Sequence, residues 1–323
     1  MILEYIAVLI FAILIDFSLG DPKNKFHPTS WMGSLIAKLT PILKNSSIIF
    51  EKIGGIFVIL ITSSIVVFLL ISLHLGIDSI KLDYLAAIVS IFIGSFLLKT
   101  TIAIKGMEKH ALEVMNSLEK NDIESARDKL SMIVKRKTSN LDKNHIYSGI
   151  VESISENTVD GITGPLFYFG FFGLPGAFLY RLINTADSML GYKTEIFQHI
   201  GWFSANSDKI LNYLPSRITA IIMILSAMVL GNNWKNSFKI MMRDGNKTLS
   251  PNAGYPMSAI AGALETKFEK IGHYSLGDGD VSFNKEHVYS AILLMKVTSI
   301  LFCAIVIIPI ILLLSFLGWW VYA

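Results

Sequence analysis

A single cysteine, Cys303, serves the whole chain, and it sits inside an apolar run. That excludes an intrachain disulfide and any Cys-x-x-Cys metal or redox site, and leaves the thiol as a small buried hydrophobe. Charge is also scarce: 16% of the residues are charged, against about 25% in ordinary soluble domains. The histidines show neither His-x-His nor His-Glu-x-x-His spacing, so no histidine zinc site is inferred. No G-x-x-x-x-G-K-[ST] or G-x-G-x-x-G is present, and no Ser/His/Asp arrangement, internal repeat or low-complexity tract stands out. A basic, aromatic-interleaved strand pattern is missing too, so no nucleic-acid partner is expected. The net charge of +3 speaks instead to topology and to anionic headgroups.

What fills the chain is apolar sequence: 52% hydrophobic residues and a mean hydropathy of +0.55. The fold class read from this is an all-α integral membrane protein. Runs near 20 residues predict four clear transmembrane helices, at residues 2–19, 54–76, 84–98 and 288–320, the last interrupted by Lys296. The first lacks a basic start and a small-residue cleavage site, so it is not read as a cleaved signal peptide. Trp319 and Trp320 suit an interfacial belt. Segments 162–180, rich in Gly and Pro, and 218–230, only 13 residues long, read as short or broken membrane segments of the kind that line a cavity.

Basic residues set the orientation. Loop 21–53 holds Lys23, Lys25, Lys38, Lys44 and Lys52, and loop 99–161 is richer still, whereas 77–83 has only Lys81. Both rich loops should be cytoplasmic and the N-terminus outside. Loop 231–287 is cytoplasmic whether the two ambiguous segments both span or are both re-entrant; only loop 181–217 changes sides. Residues 99–145 predict a soluble helical hairpin inserted in one polytopic membrane domain, 1–323. Asn121 and Glu124 resemble a capping box that starts its second helix.

Polar residues concentrate where the apolar sequence breaks, and each unpaired charge near lipid costs several kcal/mol. In ESISENTVDG, Glu152, Glu156 and Asp160 recur every four residues, on one helical face beside Asn157. Like charges at that spacing repel, so a Mg²⁺ ion, a substrate amine or nearby Lys and Arg should face them. In YRLINTADSMLGYK, Arg181, Asn184 and Asp187 share a face, Gly191 is placed to end the helix, and Lys193 follows. Asp187 near a helix C-terminus is unfavourable, a cost that a site role explains. In RDGNKTLSPNAGYP, backbone N–H groups with Arg243 and Lys247, beside Ser250 and Asn252, can hold phosphate oxygens. Pro256 then suits a helix start, with Ser258, Ala259, Gly262 and Ala263 spaced for close packing. In GDPKNKFHP, Asp21 and His27 can act as ligand or acid/base.

GDP...HP, VESISENTVDGITGPLFY, GLPGAFLYRLINTADSMLGYK, HIGWFSANSD, LPSRITA and RDGNKTLSPNAGYPMSAIAGAL occur in that order. The set closely resembles the CobD/CbiB family, adenosylcobinamide-phosphate synthases of cobalamin biosynthesis. The resemblance implies a cell-membrane ligase, its active site facing the cytoplasm, that amidates adenosylcobyric acid with aminopropanol phosphate or a related amino-alcohol phosphate. ATP and Mg²⁺ are the implied cofactors, and other corrinoid-pathway enzymes are implied partners. On this reading Glu152, Glu156 and Asp160 handle metal or amine and Asp187 serves as base or orienter. Arg181, Lys193, Arg243 and Lys247 take phosphate or corrin carboxylates, with Asp21, His27, Asn157, Asn184, Ser250 and Asn252 lining the substrate site. The chain departs from the family pattern at Lys135–Thr138, at Tyr255 and Met257, and at Asn206–Lys209, which are therefore weak candidates. A small-molecule transporter and a non-catalytic AmpE-like sensor are the alternative readings.

Overall fold

Apolar runs with few charges leave the backbone no partner but itself, and the chain is accordingly helical almost throughout. The computed structural model describes residues 2–22, 24–134, 136–191, 196–270, 272–279, 281–319 and 321. Lys23, Lys135, Lys193 and Trp320 lie outside that set. In chain order the helices are α1 (Ile2–Leu19), α2 (Pro28–Leu43), α3 (Ile48–Asp78), α4 (Asp83–Lys99), α5 (Ile104–Glu119), α6 (Ile123–Ser131), α7 (Lys143–Thr158) and α8 (Gly164–Leu190). After α9 (Trp202–Leu211), α10 (Tyr213–Val229), α11 (Trp234–Asp244) and α12 (Gly254–Ala263) come strands β1 (Phe268–Lys270) and β2 (Tyr274–Leu276), then α13 (Lys285–Phe302) and α14 (Ile308–Phe316). Among the described residues, five helical stretches are long and apolar enough to cross a membrane, and α9 with α10, bent by 42°, makes up to six. This is a multi-pass all-α membrane protein.

Two compact units divide the chain: Met1–Ala103, Gly164–Leu211 and Cys303–Ala323 in one, Ile104–Thr163 and Asn212–Phe302 in the other. In the first, α2, α3 and α8 enclose a core of Met32, Ile36, Val58, Phe178, Leu182 and Leu190. Close approach is what Gly54 and Gly55 supply, because a Cβ there would run into the carbonyl oxygens of Leu43 and Ile200. The short apolar segment at 162–180 turns out to reverse direction. Gly173 takes φ +60, ψ −151, a conformation an L side chain resists, with Pro175 just beyond. Gly164 and Tyr180 are about 24 Å apart in a straight helix, yet a Cβ on Gly164 would strike the Tyr180 hydroxyl. The Tyr168 and Tyr180 rings stack at 5.3 Å. Thus α8 is two legs folded back on Gly173.

That reversal places residues 196–201. The tip of the hairpin meets the start of α1 and the chain end, through Tyr5 against Phe169 and Trp319 Nε1 donating to Phe171 O at 2.8 Å. The second leg returns to the other end of the unit, where Met189 packs on Gly33 and Ile200 on Gly55, and Lys52 lies over the Trp202 ring. Residues 196–201 therefore lie at the end of the unit where α2 meets α3. In a Cys303→Ser background, cysteines at Ser46 and Gln198 should react with an impermeant maleimide from one side and a cysteine at Ser79 from the other. Labelling of Gln198 and Ser79 together would overturn the reversal.

In the second unit, the spacing of small residues in α12 does what it predicts. Gly262 lies against the backbone of Asn236 and Ser237, and Ser237 Oγ donates to Ala259 O at 2.7 Å. Lys296, the charge that interrupts the last apolar run, pairs with Glu108 of α5 at 2.5 Å. The hairpin insert forms as α5 and α6, but its second helix is capped by Asp122, whose carboxylate accepts from Ser125 N. Asn121 instead takes a left-handed φ of 59 that closes the turn. Strands β1 and β2 pair antiparallel, Phe268 opposite Leu276, a short sheet the all-helical reading did not contain.

Candidate functional site

Asp142 starts α7 by accepting from His145 N, and ten residues on the helix buries a carboxylate. Glu152 is 6% exposed and fully engaged. Its Oε1 accepts from Ser148 Oγ at 2.7 Å and Arg136 Nη2 at 3.2 Å, and its Oε2 accepts from the Tyr274 hydroxyl at 3.0 Å. Arg136 reaches it across Gly149, where a Cβ would meet the guanidinium at 2.9 Å. Burial and the Glu152 carboxylate together push the Tyr274 hydroxyl well above its ordinary value. Glu156 is exposed, Asp160 half-buried at the start of a π-turn, and Asn157 donates back to Ser153 O at 2.9 Å. So the cation expected to face this row is, for Glu152, an arginine of the protein itself.

This bears on metal binding. Among the described residues no three His, Cys, Asp or Glu side chains gather to hold a metal ion, and both Glu152 oxygens are taken by protein donors. Among the described residues, Glu152, Glu156 and Asp160 do not gather as a three-carboxylate cage. Helical spacing reports which side chains share a face, not what packs against them.

The RDGNKTLSPNAGYP segment is organised around Asp244, which is fully buried. Arg243 donates from Nε and Nη2 to its two oxygens, each at 2.7 Å. Lys247 Nζ stands 2.6 Å from Oδ1 and Gly277 N donates to Oδ2 at 2.9 Å. Burial alone would raise the Asp244 carboxyl, but these donors outweigh it and hold the group well below the usual carboxylate range. Arg243 uses its remaining Nη1 on the exposed Asp278, at 2.5 Å; its hydrogen bonds to Asp244 and then to Asp278 raise its own affinity for the proton. The two cations proposed for phosphate thus carry protein carboxylates here. Ser250 and Asn252 build the loop: Ser250 Oγ accepts from Asn252 N, and Asn252 Oδ1 accepts from Arg217 Nη1 at 3.1 Å. The Arg217 guanidinium lies between the Tyr213 and Tyr255 rings, 3.6 and 4.3 Å from their centroids.

One element joins the two motifs. Tyr274 of β2 holds Glu152, and three residues on, Gly277 and Asp278 hold Asp244 and Arg243. Three residues span at most about 10 Å. The ESISENTVDG helix and the RDGNKTLSPNAGYP loop are therefore parts of one assembly, strapped by a hairpin that nothing in its sequence marked as functional.

In the other unit, Arg181 Nη1 donates to Asn184 Oδ1 at 3.4 Å and Asn184 Nδ2 to Asp208 Oδ1 at 3.2 Å. Asp208, set aside on sequence grounds, is drawn into this group. Asp187 is half-buried, with its carboxylate over Gly191, where any Cβ would collide with it. Lys193 lies outside the described residues. Asp21 and His27 come together at 3.6 Å at the end of α1. Burial would raise the Asp21 carboxyl, but hydrogen bonds from His27 and Lys99 bring it below its ordinary value.

The sequence of this framework matches the profile of the CobD/Cbib protein family over residues 9–295. The chain belongs to the CobD/CbiB family. Similar members include the probable cobalamin biosynthesis protein CobD of Methanothermobacter thermautotrophicus, 41% identical over 92% of this chain and 95% of that protein. The cobalamin biosynthesis protein CobD of Leptospira interrogans is 41% identical over 90% and 93%, and that of Dehalococcoides mccartyi 37% over 85% and 88%. No solved structure matches the chain. The family match runs through α1 to α13, so both the Glu152 assembly and the Asp21 loop fall within it.

Proposed function

We propose that this protein acts in cobalamin biosynthesis as adenosylcobinamide-phosphate synthase. It joins the free propionate carboxyl of adenosylcobyric acid to the amine of aminopropanol phosphate or a related amino-alcohol phosphate. The observation that carries the reading is the strapped assembly: an acidic helix and a cationic loop, the two densest family motifs, held within one unit by Tyr274, Gly277 and Asp278.

Amide formation needs an activated acyl group and an amine without its extra proton. ATP is proposed to supply the activation, with Mg²⁺ arriving on the nucleotide phosphates as it commonly does. The exposed carboxylate of Glu156 and the half-buried one of Asp160 are suited to hold the substrate ammonium and take its proton. Arg243 and Lys247 are suited to the phosphate, which would replace Asp278 on Arg243 Nη1 while Asp244 keeps both cations in place. Lysine-rich loops favour a site on the cytoplasmic face, where nucleotide and corrinoid are found.

Purified protein incubated with adenosylcobyric acid, aminopropanol phosphate and ATP, with and without Mg²⁺, should yield the amide, identified by its mass. Absence of the condensation product with every amine phosphate offered would remove the ligase reading.

A further inference from the structure

Helix α11 repeats one pattern three times: Trp234 then Lys235, Phe238 then Lys239, Met242 then Arg243, each apolar side chain followed directly by a basic one. A four-residue step keeps side chains on one stripe of an α-helix, so the apolar three form one line and the basic three the next. The inner side of the helix is already used. Ser237, Ile240, Met241 and Asp244 are buried, and Asn236 and Ser237 donate to the carbonyls of Gly262 and Ala259 in α12. The apolar line is left outside: Trp234 is 40%, Phe238 52% and Met242 64% exposed.

A row of large apolar side chains facing outward calls for a cover, and its surroundings identify one. The apolar surface continues past both ends of the helix, to Met228 and Val229 of α10 before it and to Leu249 after it, all exposed. The segment formed by α9 and α10 is apolar enough to cross a membrane, and only residues 230–233 separate α10 from α11. Four residues reach at most about 14 Å, so α11 starts close to the lipid that α10 meets. Gly231, Asn232 and Asn233 also share a cavity with Glu286, His287 and Ser290, at the start of the long apolar stretch Lys285–Phe316.

The basic line supplies the specificity. Among the described residues, Lys235 and Lys239 pair with no carboxylate, whereas Arg243 is occupied by Asp244 and Asp278. Lys235 Nζ lies instead over the Trp234 ring, 5.7 Å from its centroid. An apolar line that begins with tryptophan, bordered by lysines long enough to snorkel, suits a helix lying in the plane of a bilayer surface. A second copy seated on the same face by a two-fold axis would bring these lysines toward their own equivalents. Anionic headgroups neutralise them.

We propose that α11 is an interfacial helix that rests on anionic lipid, with Trp234, Phe238 and Met242 at the headgroup boundary and Lys235 and Lys239 on the lipid phosphates. Its last turn carries Arg243 and Asp244, so the bilayer holds the loop that follows at the membrane surface.

Fluorescence quenching tests it. In full-length Cys303→Ser protein, Phe238→Cys, Met242→Cys and, as a water-facing control on α6, Glu124→Cys are each labelled with bimane. The protein is reconstituted in vesicles of phosphatidylcholine and phosphatidylglycerol, with a nitroxide on some of the acyl chains. The labels on α11 should emit to the blue of the control and lose most of their emission to the nitroxide, while the control keeps its own. Both the pair Lys235→Gln, Lys239→Gln and vesicles of phosphatidylcholine alone should weaken that quenching. Should a label disturb the helix, the share of tryptophan emission lost in Trp234→Phe reports the same quenching without one. Control-like emission from α11 would overturn the proposal. Blue but unquenched emission with a doubled mass in detergent would overturn it in favour of a second copy. Quenching that survives loss of both the lysines and the anionic lipid would refute the headgroup contact.

Discussion

Glu152→Gln is expected to destabilise the protein by about 3 to 5 kcal/mol, the cost of breaking a buried ion pair and leaving one charge behind. The glutamine keeps one acceptor oxygen, so it can accept from Ser148 or from Tyr274 while its amide donates to the other hydroxyl, and Arg136 loses its counter-charge. Adding Arg136→Met should restore most of the melting temperature, because replacing both partners of a buried pair is often neutral. Glu156→Gln, on the exposed side of the same helix, should leave the melting temperature unchanged while turnover falls. Thermal melting of detergent-purified protein, followed by tryptophan fluorescence, reads all three variants. A Glu152→Gln protein that melts like wild type would mean that Arg136 is satisfied elsewhere and that Glu152 does not anchor the strap.

The second large effect concerns Arg243. Its truncation to Ala should weaken binding of aminopropanol phosphate by about ten- to hundredfold, the worth of roughly 1.5 to 3 kcal/mol in hydrogen bonds to a charged group. Binding of the unphosphorylated amino alcohol should change far less, and the variant should also melt lower because the buried Asp244 loses two donors. Asp278→Asn should have the opposite sign, since it removes the carboxylate that competes for Nη1 while sparing the buried Asp244. The paired variant Arg243→Ala, Asp278→Asn should then match Arg243→Ala, because Asp278 acts only by occupying that arginine. Calorimetric titration with the two amines separates these cases. Equal weakening for both ligands would assign the loop a structural or corrin-binding role.

The spans were legible in the sequence because each is a long run of one character, and a run needs no partner to be recognised. Residues 54–76 and 84–98 lie inside α3 and α4, and the break at Gly173 and Pro175 was visible as composition. That the break reverses the chain was not, because a φ near +60 is permitted by glycine rather than announced by it. Pairings over distance were hidden for a related reason: Tyr274 lies 122 residues from Glu152, and nothing local in HYSLGDGD signals a strap. The Asp244–Lys247 pair was legible, because three residues is a spacing at which helical side chains meet, whereas spacing alone could not assign the adjacent Arg243 to the same carboxylate.

The reversal at Gly173 also governs how the protein enters the bilayer. The apolar stretch ahead of the turn, residues 162–172, makes about 16 Å of helix, roughly half of a hydrocarbon core. It cannot rest in lipid by itself, and the leg that follows begins with the Pro175 break. The two must leave the insertion machinery as one piece, packed ring against ring at Tyr168 and Tyr180 before lipid closes around them. Biogenesis thus depends on an early folding event in the middle of the chain.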